Sequence, residues 1–153
     1  MELARNIITG EFAAIKILKP NKNTTSTDID MIFREAENLK SLNHPNIVKI
    51  LNCYTLSDMK VVVVMEYLEG GELLSLLREK KQFEEEEARQ YFKQIVQAIV
   101  YCHRHGLIHR DLKLENILLS KERVAKIADF GISGVADRFN PEVDWGTLKY
   151  MAP

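Results

Sequence analysis

Cysteine is scarce in this sequence: only Cys53 and Cys102 occur among 153 residues, and no Cys-x-x-Cys pair exists. That count and spacing exclude a disulfide framework and a cysteine-ligated zinc site. None of the four histidines has a metal-ligand spacing, so zinc is not expected from that side either. Neither sign of charge prevails. With 21 basic and 22 acidic side chains the formal net charge is -1, which gives no electrostatic reason for a nucleic-acid partner. No apolar run approaches the ~20 residues that cross a bilayer, so no membrane partner is expected. The start resembles no signal peptide, and the expected setting is reducing and intracellular, either cytoplasmic or nuclear. No Gly-x-x-x-x-Gly-Lys-[Ser/Thr] sequence occurs, which argues against a P-loop NTPase. Internal repeats and low-complexity segments are absent as well.

What is present fits one average domain, with 46% hydrophobic and 28% charged residues, enough to bury a core. Phe12 to Leu18 (FAAIKIL) is rich in β-formers and reads as the second strand of a hairpin, with Glu2 to Ile8 as its partner and the turn near Gly10. A helix is expected from an N-cap at Ser26 or Thr27, carrying Ile29, Ile32, Phe33, Ala36 and Leu39 at helical spacing. Asn43-His44-Pro45-Asn46 ends it, because the residue before a proline resists the helical region. Ile47 to Leu56 reads as a strand, and Lys60 to Tyr67 (KVVVVMEY) as a central one. Gly70-Gly71 breaks the chain before a short helix over Glu72 to Lys80. The longest helix is expected over Glu84 to His105, with Phe92, Ile95, Val96, Ile99 and Cys102 as its apolar stripe and Gly106 just past its end. Short strand-like pieces surround Ile117-Leu118-Leu119 and Ala125-Lys126-Ile127. Strands with one helix thus come first and a mainly helical half follows, the joint lying near Glu66 to Gly71.

The stretch from 109 to 120, HRDLKLENILLS, sets His109, Arg110, Asp111, Lys113 and Asn116 just ahead of an apolar anchor. Asp111 could orient a hydroxyl and accept its proton, Asn116 could give a carbonyl oxygen to a metal ion, and Lys113 could neutralise a phosphoryl group in transit. A salt-bridged surface loop is the plainer reading of the same residues. His109 is expected to be a packed, hydrogen-bonded histidine. Asp129 stands at the end of a strand, where a carboxylate suits Mg²⁺, although Asp129-Phe130-Gly131 alone is equally an ordinary turn. Lys16 interrupts an apolar strand. Its head either lies on a solvated face or sits over a polyanionic ligand, fixed by Glu35 at the border of the helical stripe.

In order along the chain, AAIK (13–16), Glu35 within FREAENL, HPNIV (44–48), MEYLEGGEL (65–73), HRDLKLEN (109–116), DFG (129–131) and GTLKYMAP (146–153) resemble a eukaryotic protein kinase domain of the Ser/Thr type. The similarity looks closest to the calcium/calmodulin- and AMP-activated-like branch. The resemblance implies an α+β, bilobal protein-kinase-like fold, present in part. Residues 1–67 would belong to the small lobe, 68–71 to the hinge, and 72–153 to the large lobe through the activation segment. It implies ATP and Mg²⁺ as cofactors and a protein substrate with a serine or threonine acceptor. Lys16 would contact the α- and β-phosphates and pair with Glu35. Met65 would stand behind the adenine, and the backbone of Glu66 to Leu68 would hydrogen-bond the base. Glu72 joins the nucleotide-binding set and could favour a basic residue in the substrate. Asp111 would be the catalytic base, Lys113 its phosphate-facing helper, Asn116 and Asp129 the Mg²⁺ ligands, and Thr147 a brace for Asp111.

Three departures accompany the resemblance. The Gly-rich phosphate loop of the family is absent, and the match begins at what looks like its second strand. The chain stops before the Glu that should follow Ala152-Pro153, so both ends are expected to be cuts. Between Gly131 and Gly146 only Ser133 can accept phosphate, Val143 standing where the branch commonly has a threonine, flanked by Glu142 and Asp144. The machinery is present without its whole scaffold, so the 153 residues alone are expected to fold poorly and to phosphorylate weakly or not at all. The alternative is a truncated, catalytically inactive regulatory module that binds a protein partner.

Overall fold

The computed structural model describes residues 1–19 and 24–130. These fall into two compact units, one built from residues 1–19, 24–43 and 49–67, the other from 44–48 and 68–130.

The first unit is a four-stranded antiparallel sheet covered by one helix. Its strands are β1 (Glu2–Arg5), β2 (Phe12–Leu18), β3 (Ile50–Thr55) and β4 (Val61–Glu66), in the spatial order β1-β2-β4-β3. β1 is shorter than the expected Glu2 to Ile8 because Asn6 turns the chain. Its side-chain oxygen accepts from the Ile8 and Thr9 amides and its carbonyl from the Gly10 amide, and Gly10 takes the positive φ of 75° that closes the turn. β4 is central, as its valines require: Val61, Val62 and Val63 are all buried.

Helix α1 (Ser26–Lys40) starts one or two residues earlier than expected from a cap at Ser26 or Thr27. Thr25 is its N-cap, with the Asp28 amide donating to Thr25 Oγ1 while the Thr25 amide donates to Asp28 Oδ2 at 2.7 Å. That reciprocal box satisfies two end groups together and stabilises the start by about 1 kcal/mol. Ser41 ends the helix by bonding its Oγ to the Asn38 carbonyl, before the Asn-His-Pro sequence is reached. Ile29, Ile32, Ala36 and Leu39 are buried as the spacing predicts, Phe33 only partly. The stripe packs on β3 and β4.

The second unit contains α2 (Leu73–Lys80), α3 (Glu85–Arg104), a 3₁₀ turn at Leu114–Asn116, and the hairpin of β5 (Ile117–Leu119) with β6 (Ala125–Ile127). The 44–48 segment lies along β6: the Val48 amide donates to Ile127 O and the Ile127 amide to Asn46 O, both at 2.9 Å. Helix α3 differs from the expectation on one point. Of the expected stripe Cys102 is buried and Ile95 and Ile99 are half-buried, but Phe92 is 69% exposed and Val96 is exposed, and Tyr91 and Ala98 are buried in their stead, with Val100 exposed as well. The helix carries two apolar stripes, and the one with the small Ala98 and the polar Gln94 faces β6. There Gln94 Oε1 accepts from the Ala125 amide at 2.6 Å, and the buried Asn46 side chain donates to the Ala125 carbonyl at 2.9 Å. The α3 face that meets β6 is the one whose Gln94 satisfies the Ala125 amide.

Candidate active site

The residues of the 109–116 stretch are gathered by the tight path between α3 and β5. His109 is 3% exposed. Its Nε2 donates to the Ala128 carbonyl at 2.8 Å and its Nδ1 accepts from the Asp111 amide at 3.3 Å, a pattern that only the neutral ring satisfies. Burial accordingly pushes its pKa down. The ring also meets Phe130 edge-on, with centroids 4.8 Å apart. His109 is therefore the packed, hydrogen-bonded histidine expected, and it fixes the backbone on which Asp111 stands.

Asp111 is held from two sides. Asn116 Nδ2 donates to its carbonyl at 2.8 Å and to Oδ2 at 3.2 Å, and Lys113 Nζ lies 2.7 Å from Oδ2. The Asp111 contact, first among several, raises the Lys113 pKa, so the ammonium persists at neutral pH. Asn116 is buried, and with both Nδ2 protons engaged its Oδ1 is the atom suited to a cation. Arg110 and Asp129 take positive φ values of 68° and 58°, rare for residues with a Cβ, at the two ends of this path. The charge of Asp129 acts on both His109 and Lys113. Asp111, Lys113, Asn116 and Asp129 thus form one neighbourhood within the second unit.

Glu115 was not singled out from the sequence. Its Oε2 is buried and has no hydrogen-bond partner, which a lone acid in a charged run gives no means of foreseeing. Glu72 is exposed and caps α2 without a side-chain hydrogen bond, and its backbone bridges Leu118.

In the first unit Lys16 is half-buried in β2, directly opposite Val63. Val63 pairs on its other side with Cys53, whose Sγ donates to Glu37 of α1 at 2.7 Å. Lys16, Val63 and Cys53 therefore share one face of the sheet, the face that α1 covers over β3 and β4. Glu35 is half-buried on α1 beside Ala36. Met65 is 5% exposed and paired with Ala14 on the same face as Lys16. The Glu66 amide donates to Lys49 O, while its carboxylate accepts from the Lys49 amide, and Leu68 is half-buried. Thr147, Ser133 and the Glu142–Asp144 stretch lie outside the described residues.

Among the described residues no group of three or more His, Cys, Asp or Glu side chains stands ready to cage a metal ion. The oxygen donors at hand, Asp129 and Asn116, fit Mg²⁺ in another way, since that ion takes one or two protein oxygens and completes its shell with water and phosphate.

The protein kinase domain family matches residues 2–153. CBL-interacting serine/threonine-protein kinase 9 of Arabidopsis thaliana is 37% identical over 157 residues, covering 100% of this chain and 35% of the relative. NUAK family SNF1-like kinase 1 of Homo sapiens is 45% identical over 147 residues, covering 95% of this chain and 22% of the relative. Among solved structures, the crystal structure of Rad53 1-466 in complex with AMP-PNP superposes with a TM-score of 0.76 at 35% identity, covering 85% of this chain and 34% of that one. The chain spans about a third or less of the length of these relatives. Its sheet-and-helix unit and its helical unit with a β-hairpin are elements of the small and large lobes of that fold, present in part. The chain belongs to the eukaryotic protein kinase domain family, as a Ser/Thr-type domain related to the CBL-interacting and NUAK-like kinases.

Proposed function

We propose that this chain carries the nucleotide-binding and catalytic residues of an ATP-dependent protein serine/threonine kinase, and that the 153 residues alone are weakly active or inactive. One observation carries the reading. The Asp111 carboxylate is held by Lys113 and Asn116 on a loop braced by a neutral, buried His109. Phosphoryl transfer asks the protein mainly for placed charge, and this cluster supplies it.

In this reading the substrate hydroxyl approaches Asp111 and gives its proton to the carboxylate as its oxygen bonds to the γ-phosphorus. The bond to the β-phosphate's bridging oxygen breaks, and ADP leaves. The Lys113 ammonium offsets the negative charge spread over the moving phosphoryl group. Asn116 and Asp129 would hold Mg²⁺, which when bound neutralises the phosphate oxygens. Lys16, steadied by Glu35, would take the α- and β-phosphates. Met65 would bound the adenine, Glu66 to Leu68 would meet its edge, Glu72 would belong to the same nucleotide set, and Thr147 would brace Asp111. The AMP-PNP in the related Rad53 structure supports a nucleotide as ligand. The proposed substrate is a protein with a Ser or Thr acceptor. The exposed Glu72 carboxylate favours a basic residue upstream of that acceptor.

The test is binding of Mg·ATP to the wild-type chain and to Asp129→Asn, with and without Mg²⁺. Magnesium-dependent binding that drops at least tenfold in the variant is expected. Equal binding by both proteins, or binding indifferent to Mg²⁺, would overturn the assignment. A second reading, an inactive partner-binding module, draws on the exposed Phe92–Val96–Val100 stripe of α3. Strong partner capture without nucleotide binding would favour it.

A further inference from the structure

Helix α1 is tied to the sheet by a polar contact on one flank. Cys53 is 5% exposed on β3, and its thiol donates to Glu37 Oε1 at 2.7 Å. Burial first, and the carboxylate second, push the thiol up to about 12, while the same bond, ahead of Lys40, lowers the Glu37 carboxyl. Both shifts favour S–H facing a carboxylate, and such a raised thiol is a poor nucleophile at neutral pH. Lys40 adds a second tie one turn on, reaching Asn52 Oδ1 at 3.3 Å and Glu37 Oε1 at 3.5 Å.

The position of this clasp matters because of what lies across the helix. Glu35 and Glu37 are two residues apart, about 200° around the axis, so they flank the buried Ile32–Ala36–Leu39 stripe on opposite sides. Glu37 faces the edge strand β3. By the same spacing Glu35 lies on the flank opposite Glu37, and in the sheet β2, which carries Lys16, is separated from β3 by β4. We infer that the Cys53–Glu37 hydrogen bond is a positioning device that blocks roll of α1 about its axis and so fixes Glu35 with respect to Lys16.

The lever is short. Side-chain atoms lie about 5–6 Å from a helix axis, so a roll of about 10° shifts Glu35 by roughly 1 Å. Apolar contacts along the stripe resist such a roll weakly, since they are non-directional. A directional charged hydrogen bond resists it well. Displacements near 1 Å at a positioning group can cost up to about a hundredfold, and a partial roll is expected to cost about tenfold.

The inference rests on the kinase reading for Glu35 and Lys16, and the experiment separates the two. Mg·ATP affinity is measured for the wild-type chain, Cys53→Val, Cys53→Ser, Glu35→Gln and the Cys53→Val/Glu35→Gln double variant. Amide hydrogen exchange of residues 29–40 is read alongside. Cys53→Val keeps the bulk and deletes the donor. It is expected to weaken Mg·ATP about tenfold and to speed exchange in α1, whereas Cys53→Ser, which keeps a donor, stays within about threefold of wild type. In the Glu35→Gln background the valine change should have no further effect on affinity, which a merely structural role would not produce. Wild-type affinity in Cys53→Val, or an undiminished tenfold loss in the Glu35→Gln background, overturns the inference. If the wild-type chain binds no Mg·ATP, the nucleotide roles of Lys16 and Glu35 fail, and unchanged α1 exchange in Cys53→Val then overturns the clasp by itself.

Discussion

Replacing Gly70 by alanine tests the joint between the 70–72 segment and β5. An added Cβ would collide with Ser120 O and would lie 2.6 Å from Leu119 O and 2.7 Å from Leu119 Cβ. Two of these neighbours are backbone atoms fixed in the β5–β6 hairpin, so they cannot swing aside. The Gly70 amide donates to Leu119 O at 2.9 Å and the Leu119 amide to Gly71 O at 2.8 Å, and forcing the strands apart loosens both bonds. Overpacking costs about 1–3 kcal/mol, and a weakened hydrogen bond adds about 1 kcal/mol, so Gly70→Ala is expected to destabilise by roughly 2–4 kcal/mol. Gly71 is the control. It has a φ of +71° with nothing within 4 Å of its would-be Cβ, so Gly71→Ala adds only left-handed backbone strain, about 1–2 kcal/mol. Urea unfolding followed by circular dichroism gives both values, and exchange at the Leu119 amide localises the damage. A Gly70→Ala change below about 0.5 kcal/mol, or one smaller than that of Gly71→Ala, would refute the close-approach argument.

Asn116→Ala removes both donations to Asp111. It should cost about 1–3 kcal/mol of stability and, in a form of the protein that transfers phosphate, up to about a hundredfold in kcat; unchanged kcat would detach Asn116 from the site. Burial holds His109 below its ordinary value of 6.5, so the unfolded chain takes up the proton first as pH falls. The contribution of the neutral ring is present above 6.5 and is lost as pH drops toward the lower folded-state value. His44 shifts the same way from burial, so the comparison is between wild type and His109→Gln. The wild type should lose stability more steeply between about pH 7 and 5, and parallel curves would contradict the neutral-ring assignment. The double change Phe92→Ser/Val96→Ser should leave the unfolding midpoint within about 0.5 kcal/mol while reducing self-association in light scattering; a large loss of stability would show that this face is covered after all.

Much of the molecule was legible in its residues. KVVVVMEY could only be a central strand, the Ile29–Leu39 spacing only an amphipathic helix, and His109 lay between residues that needed a braced loop. The order of short motifs pointed to the family because each occupies a fixed place in one chemistry. Other features were hidden. The stripe expected on α3 misplaced Phe92 and Val96, since the orientation involves Gln94 and Asn46 meeting Ala125, residues drawn from three separate segments. Nor could it reveal the Glu37–Cys53 bond or the unpartnered Glu115 oxygen. Thr147 and its neighbours lie outside the described residues, so their expected roles stand only as part of the proposed function.

Periodicity, capping residues and motif order are local properties, and the sequence alone determined strand, helix and the inventory of reactive groups. Tertiary structure decided which face each element buries and which polar atoms meet. Those outcomes depend on matching every buried donor to an acceptor far away along the chain, a condition that no single segment contains.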